Sequence, residues 1–407
     1  MTASLDGVDD PLQRKGQERR AIGVACGAHA LHDGYTDLIY VMLPIWQSEF
    51  GLGYAALGAM KSVFSGTLAG FQIPSGYLAE RYGTALVLAL GTALAGIGYV
   101  LAGLSQGFPL LVAALLVGGL GASTQHPLAS SLIAHAFSGK RSLKALGTYN
   151  FAGDIGKMVV PVAASLLFLV LSWREAVALL GGAGLLGAAA IYILIPRFRD
   201  QPAPPVKKEA AAPGGKRALS SFGFPLLLSI GVIDSATRMA FLTFLPFVLT
   251  TKGASVQTIG FALTLVFAGG AVGKLVCAFI GARIGAVATV WLTETVTALA
   301  IVALLPLSLE GAMVLLPVVG IALNGTSSVL YGSVPELVEP AKRQRAFGIF
   351  YTGTIGAGAV SPFLYGLLGD AFSVTIALLV IAGVVLLTLP ITLMLRPALS
   401  DAAVTSP

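Results

Sequence analysis

Twelve apolar stretches, each about the 20 residues a helix needs to cross a bilayer, leave this chain of 407 residues few ways to fold. In hydrocarbon every backbone N–H and C=O must find a partner, and for a single stretch only a helix provides one. The stretches run 21–47, 54–79, 84–104, 108–134, 145–171 and 174–195, then 223–249, 257–279, 286–306, 311–337, 346–368 and 372–395. Between the sixth and seventh lies Pro196–Ser221, with six Lys/Arg, five Pro and nothing apolar enough to bury, so a solvated linker is expected there. At an offset of 201 or 202 residues Pro44 falls on Pro246, Gly83 on Gly285, Ala145 on Ala346, Gly147 on Gly348 and Pro161 on Pro362. A duplication split by a basic hinge predicts an all-α polytopic membrane protein, two six-helix bundles related by a pseudo-two-fold axis. The expected divisions are a tail 1–20, bundles 21–195 and 222–396 around the linker 196–221, and a tail 397–407.

A soluble domain is nearer a quarter charged; here 11% of residues are charged, 56% are hydrophobic and the mean hydropathy is +0.86. The net charge of +6 is a matter of topology. With the amino terminus in the cytoplasm, 19 of the 25 Lys/Arg fall in cytoplasmic segments; Arg174 and Lys252 fall outside, and Lys61, Lys157, Arg238 and Lys274 lie within spans. Both termini and the linker are therefore expected inside, and a nucleic-acid partner is not. Cys26 and Cys277 both sit in apolar segments and indicate no disulfide framework. The polar start and long first apolar run are not expected to act as a cleaved signal.

Polar residues at membrane depth mark function, because each is costly against lipid and must face a cavity or a partner. Span one carries His29, Asp33, Thr36, Asp37 and Tyr40 on one stripe. Spans two and five add Lys61, Ser65 and Gln72, then Asn150, Asp154 and Lys157; span four adds Ser123, His126 and Ser130. Span seven has Asp234, Thr237 and Arg238, and span ten has Asn324, Ser327, Ser328 and Tyr331. Spans three, six and twelve have no ionisable interior residue, and span nine has only Glu294, read as a packing group. Two readings stand for Asp234 with Arg238 and for Asp154 with Lys157: neutralisation along one helix, or pairs that open to take a substrate anion. His126 precedes Pro127, so it serves either a carbonyl freed by the proline or the site. No cluster of metal ligands is expected within the spans.

Gly76-Tyr-Leu-Ala-Glu80-Arg81-Tyr-Gly83, after span two, resembles the loop signature of major facilitators. Glu80 replaces the usual Asp, and Thr84 and Ala85 replace basic residues. Gly281-Ala-Arg283-Ile-Gly285 is a worn second copy. The resemblance implies the major facilitator fold, with Gly76, Glu80, Arg81 and Gly83 in a gating latch at the cytoplasmic helix ends. Gly147, Gly156 and Pro161 partly resemble the antiporter motif of drug-exporting facilitators, with Val160, Ala164 and Ser165 as departures. Ala28-His-Ala-Leu-His-Asp33, the run Leu43 to Leu52, Leu116 to Pro127 and Gly139-Lys-Arg141 are similar to the fosmidomycin-resistance exporters. His32 stands where that family has Asn, and Gln125 where it has Phe.

What the resemblance implies is proton-driven efflux of a small, often anionic compound, without enzymatic activity, cofactor or bound metal. On the residues themselves, Asp33 first and Asp37 second are expected to carry protons, since span one has no Lys or Arg to neutralise them, and His126 joins either role. Arg238 and Lys157, each with an acid within one turn (Asp234 and Asp154), are expected to recognise an anion, with hydrogen bonds from Asn324, Ser327 and Tyr331. His32 and Tyr40 line the same stripe. The expected setting is the bacterial inner membrane, as a monomer. A symporter importing an organic anion is the alternative. A membrane receptor would need an output domain, and the longest soluble piece is the linker.

Overall fold

A computed structural model describes residues 11–137, 139–196, 222–339 and 342–404. The expected linker lies outside the described residues except for Pro196, as do the outermost parts of both tails. The described residues form fourteen helices. In the first half these are α1 (Pro11–Phe50), α2 (Tyr54–Gly70), α3 (Gln72–Tyr82), α4 (Thr84–Leu104), α5 (Phe108–Ala122), α6 (Gln125–Ala136), α7 (Gly139–Leu167) and α8 (Trp173–Leu194). In the second they are α9 (Gly223–Thr251), α10 (Val256–Leu304), α11 (Leu309–Leu337), α12 (Arg343–Ala371), α13 (Val374–Val385) and α14 (Thr388–Val404).

These helices make twelve crossings, because α2–α3, α5–α6 and α13–α14 are broken spans while α10 crosses twice around a kink at Gly285. Eight stretches are long and apolar enough to span a membrane by composition alone, the double-length α10 among them. Of the rest, α1 and α7 carry Asp33, Asp37, Asp154 and Lys157, and α2 is cut to 17 residues by the break at Phe71. The crossings too polar for lipid are thus the ones that line the interior. The helices α1 and α14 run on into the expected tails, through residues 11–20 and 397–404, and one expectation is corrected. The stretch Gly76 to Tyr82, expected in a joint, forms the last turns of α3.

The duplication reaches the backbone. All positive-φ residues among those described are glycines, and they fall into two pairs 202 residues apart: Gly51 with Gly253, and Gly83 with Gly285. Gly83 (φ 88, ψ 142) and Gly285 (φ 83, ψ 163) share a conformation that costs a side-chain-bearing residue heavily. They make equivalent turns at the end of the bundle that carries the chain termini. At the far end, Ser172, Ser255, Ser308 and Ser373 each accept the backbone N–H three residues on, which starts α8, α10, α11 and α13. Span four breaks because Pro127 has no N–H to give. There the Ser123 and Thr124 hydroxyls turn back onto the carbonyls of Leu120 (2.7 Å) and Gly121 (3.1 Å).

The core shows how the halves meet. One large apolar cluster runs through both, including Tyr40, Trp46, Phe64, Phe241, Phe244 and Ile301. Two smaller clusters lie towards the terminal end, one per half: Leu88, Ile133 and Tyr149 in the first, Ile230, Leu330 and Phe350 in the second. The halves are fused at the far end and separate at the other. Fusion runs through α2 on α12, α7 on α10 and α1 on α9. Gly58 lies against the Pro362 carbonyl and Gly366 against Tyr54, so the backbones touch. Tyr54 packs edgewise on Phe247, with centroids 5.2 Å apart. Gln257 Nε2 donates to the Ser165 carbonyl at 2.9 Å, and Thr264 Oγ1 to that of Met158 at 2.8 Å.

The first turn of α2 has no cap of its own, since Gly53 offers no side chain. Asp370 of the other half supplies it, accepting the N–H groups of Tyr54 (2.6 Å) and Ala55 (2.9 Å). A cap of this kind is worth about 1 kcal/mol, equal to about a fivefold change in population. Asp370→Ala is therefore expected to raise the share of molecules open at the far end by about fivefold. Distances between spin labels at Gln106 and Leu307, on far-end joints of opposite halves, check this; an unchanged distribution contradicts it.

Candidate functional site

Three charged centres line the space between the halves. The first is built on α1. Asp33 is buried, and three cationic or ionisable groups surround it: His29 Nε2 at 3.3 Å, His32 Nε2 at 3.8 Å and Lys157 Nζ of α7 at 3.2 Å. The backbone of α7 comes this close because Gly153 and Gly156 leave room for Asp33, His29 and the Ala30 carbonyl. His126 of α6 stands edge-on to His29 and His32, with centroids 5.2 and 4.8 Å apart. These ring contacts place it in the site.

The hydrogen count at this centre is informative. His29 Nδ1 lies 2.8 Å from the Tyr149 carbonyl, which only accepts, so Nδ1 carries a hydrogen. Nε2 lies 3.3 Å from the Asp33 carboxylate, which sets the ionisable ring and the acid side by side. The side chain of Lys157 is 29% exposed against 9% for Asp33, so the ammonium faces the opening and the carboxylate does not.

The expectation that no metal-ligand cluster exists is corrected here. Ligand atoms of His29, Asp33 and His126 lie within 4.8 Å of one another. They come from α1 and α6, so no spacing along one helix reveals them. The Lys157 ammonium already provides the cation that Asp33 needs.

The second centre joins the halves. Asp154 of α7 takes both oxygens to Lys274 of α10, at 2.6 and 2.8 Å. Lys157 and Asp154, one turn apart, therefore do not neutralise each other but pair with different helices. Lys274 is absent from the residues singled out by sequence reasoning; its one signal is a lysine in the middle of an apolar span. The third centre is on α9. Asp234 turns to Glu294 of α10, within hydrogen-bonding reach, and Arg238 forms no ion pair among the described residues. Glu294, read from sequence as packing, belongs to this centre.

The remaining candidates divide. Asp37 is buried amid Lys157, Lys61, Asp33 and Asp154. Lys61 Nζ donates to the Thr36 carbonyl at 2.8 Å and lies 4.3 Å over the Tyr40 ring. Tyr40 Oη reaches Met239 Sδ at 3.4 Å across the halves. Asn324 Nδ2 and Ser327 Oγ donate to carbonyls of their own helix, at Gly320 (3.1 Å) and Asn324 (2.9 Å). Tyr331 meets Phe350 edge-on and Tyr351 at a tilt, with centroids 5.2 and 4.8 Å away. Gln125 leaves both amide atoms without a partner beside a cavity of ≈ 10 Å³ lined also by His32, Tyr35 and Thr124, room for about one water. At the terminal end, by Gly76 and Gly83, Glu80 and Arg81 are exposed and make no ion pair among the described residues.

The model of a family described as Major Facilitator Superfamily matches residues 25–228 and 227–406. A fosmidomycin resistance protein of Escherichia coli is 24% identical over 91% of this chain and 92% of its own length. A probable sulfoacetate transporter of Cupriavidus necator is 25% identical over 88% of each. The fold is shared with a crystal structure of a bacterial homologue of the human lysosomal transporter Spinster in an inward-facing and occupied conformation. That match has a TM-score of 0.75 at 16% identity, over 96% of this chain and 97% of the other.

The Asp154–Lys274 pair gives a direct test of this geometry. Removing one partner of a buried pair costs about 3–5 kcal/mol, and with Lys274 37% exposed about 1–3 kcal/mol is expected. Lys274→Gln should lower thermal stability in detergent by that amount, and Asp154→Asn/Lys274→Gln should recover most of it. Additive losses in the double variant contradict the pairing.

Proposed function

The chain belongs to the Major Facilitator Superfamily of membrane transporters, and on that premise we propose that it moves a small anionic compound across the bacterial inner membrane in exchange for protons. The bundles 21–195 and 222–396 rock about the charged centres as a monomer. Both termini lie in the cytoplasm, because this orientation places 19 of the 25 Lys/Arg there. The terminal end, where the halves are separate, is then the cytoplasmic one, and the site takes substrate from inside.

One observation carries the proton part: the His29–Asp33 contact at 3.3 Å, which sets an ionisable ring, oriented by Tyr149 at Nδ1, against a buried carboxylate. Asp33 is the coupling carboxylate and Asp37, in the same field, its second. His126 and His32 sit against the His29–Asp33 pair and complete its environment. Arg238 supports the anion part, being a guanidinium in the interior with no ion-pair partner among the described residues. Lys157 is the second cation. Asp154 and Asp234 set how firmly the cations are held, and Tyr40, Asn324, Ser327 and Tyr331 shape the walls. Gly76, Glu80, Arg81 and Gly83 close the cytoplasmic end in the other conformation.

Export is the direction that the resemblance to a resistance protein favours. A second reading, import of the anion together with protons, draws on Lys157. An anion that takes Lys157 from Asp33 leaves a buried carboxylate uncompensated, which binds a proton more tightly. Sulfoacetate, in the name of one relative, is an organic anion.

Transport of a compound panel into inverted vesicles, with and without an acidic lumen, separates the two. Accumulation driven by the acidic lumen is the result expected for export. Uptake confined to right-side-out vesicles, with protons moving inward, favours import. For the anionic compound so found, Arg238→Gln should weaken binding by about 2–5 kcal/mol, about thirty-fold or more, while a neutral compound is little affected. Equal loss for both kinds of compound refutes the anion role.

A further inference from the structure

Glu294 and Asp234 are two buried acids facing each other in the second half. Glu294 is the sole ionisable residue within 286–306, the second crossing of α10, and is 1% exposed. Asp234 is 4% exposed, and its carboxyl lies within hydrogen-bonding reach of that of Glu294. An ionised carboxylate only accepts, so two of them bond only when one carries a hydrogen.

The neighbours supply at most one, from Thr326. Oε1 of Glu294 meets no donor among the described residues. Thr326 of α11 reaches Glu294 but directs its hydroxyl hydrogen to Thr293 Oγ1 at 2.6 Å. Thr293 in turn directs its own to the Thr289 carbonyl at 2.9 Å. Charge points the same way. Arg238 is the cation acting on both acids, and Tyr331 of α11, which faces Asp234 and Arg238, brings no charge. One guanidinium balances one carboxylate, and a second buried negative charge is costly without a proton.

We infer that Asp234 and Glu294 hold one proton between them and form a proton-binding site in the second half, separate from the His29–Asp33 contact of the first. At the 202-residue offset Asp234 falls on His32, beside Asp33, so each half sets an acid at the same height of its first helix. Protonation lowers the negative charge beside Arg238, so the site governs how strongly the guanidinium draws an anion. That last step rests on the role proposed above for Arg238; the proton site does not.

Infrared spectra of the purified full-length protein in lipid test the site without any substrate. Wild type at neutral pH should show the carbonyl stretch of one protonated carboxyl that Glu294→Gln loses, that Asp234→Asn shifts or loses, and that fades as pH is raised. The double variant Asp234→Asn/Glu294→Gln, whose amides donate and accept as the protonated pair does, provides the comparison if a single variant fails to fold. Identical protonated-carboxyl bands in wild type and double variant overturn the site, and an unshifted band in Asp234→Asn overturns the sharing. An intact band together with an Arg238→Gln protein that still binds the anion overturns only the role of Arg238.

Discussion

The hold of Lys157 on Asp33, at 3.2 Å, is the contact on which much of the rest depends. A carboxylate at membrane depth is tolerated only where its charge is met, and Asp33 meets it with partners from α1 and from α7. This contact brings α7 against α1, which needs the small residues Gly153 and Gly156 at the crossing. With Lys157 engaged by Asp33, Asp154 turns to the opposite half and finds Lys274. The two pairs share helix α7, so moving one partner alters the surroundings of the other. Charge along α7 thus links the inside of one bundle to the seam between both.

The seam explains the shape. Close backbone contact of α2 with α12 and hydrogen bonds from α10 to α7 lie towards the far end, under a single apolar cluster. Towards the termini each half keeps its own cluster. The Asp370 cap on α2 belongs to the same closed end, and the exposed Glu80 and Arg81 to the open one. The lysines of both ion pairs are more exposed than their carboxylates, so what arrives through the opening meets positive charge first.

Much of this fold was legible in the sequence, because span length follows from the bilayer itself and the duplication is written in residues at a fixed offset. The glycines at 83 and 285 carry the duplication into the backbone. The polar stripe of span one was legible too, since it repeats with the helix period. Partners were not. Spacing along one helix pairs Asp154 with Lys157 and Asp234 with Arg238, whereas the fold pairs Asp154 with Lys274 and Asp234 with Glu294. Local spacing says which charges are near on a helix, and tertiary contact says which are nearer still. Asn324 and Ser327, promising as polar residues, satisfy carbonyls of their own helix. Asp370 gave no sign, because its role depends on the bare start of a helix in the other half.

If Asp33 is the carboxylate through which protons drive transport, one substitution separates coupling from binding. Asp33→Asn keeps the shape and removes the charge. Gradient-driven accumulation and substrate counterflow, measured on the same proteoliposomes with a compound found in the vesicle panel, give the answer. Loss of accumulation with counterflow retained is the predicted result. An Asn protein that still concentrates the compound against its gradient contradicts the account.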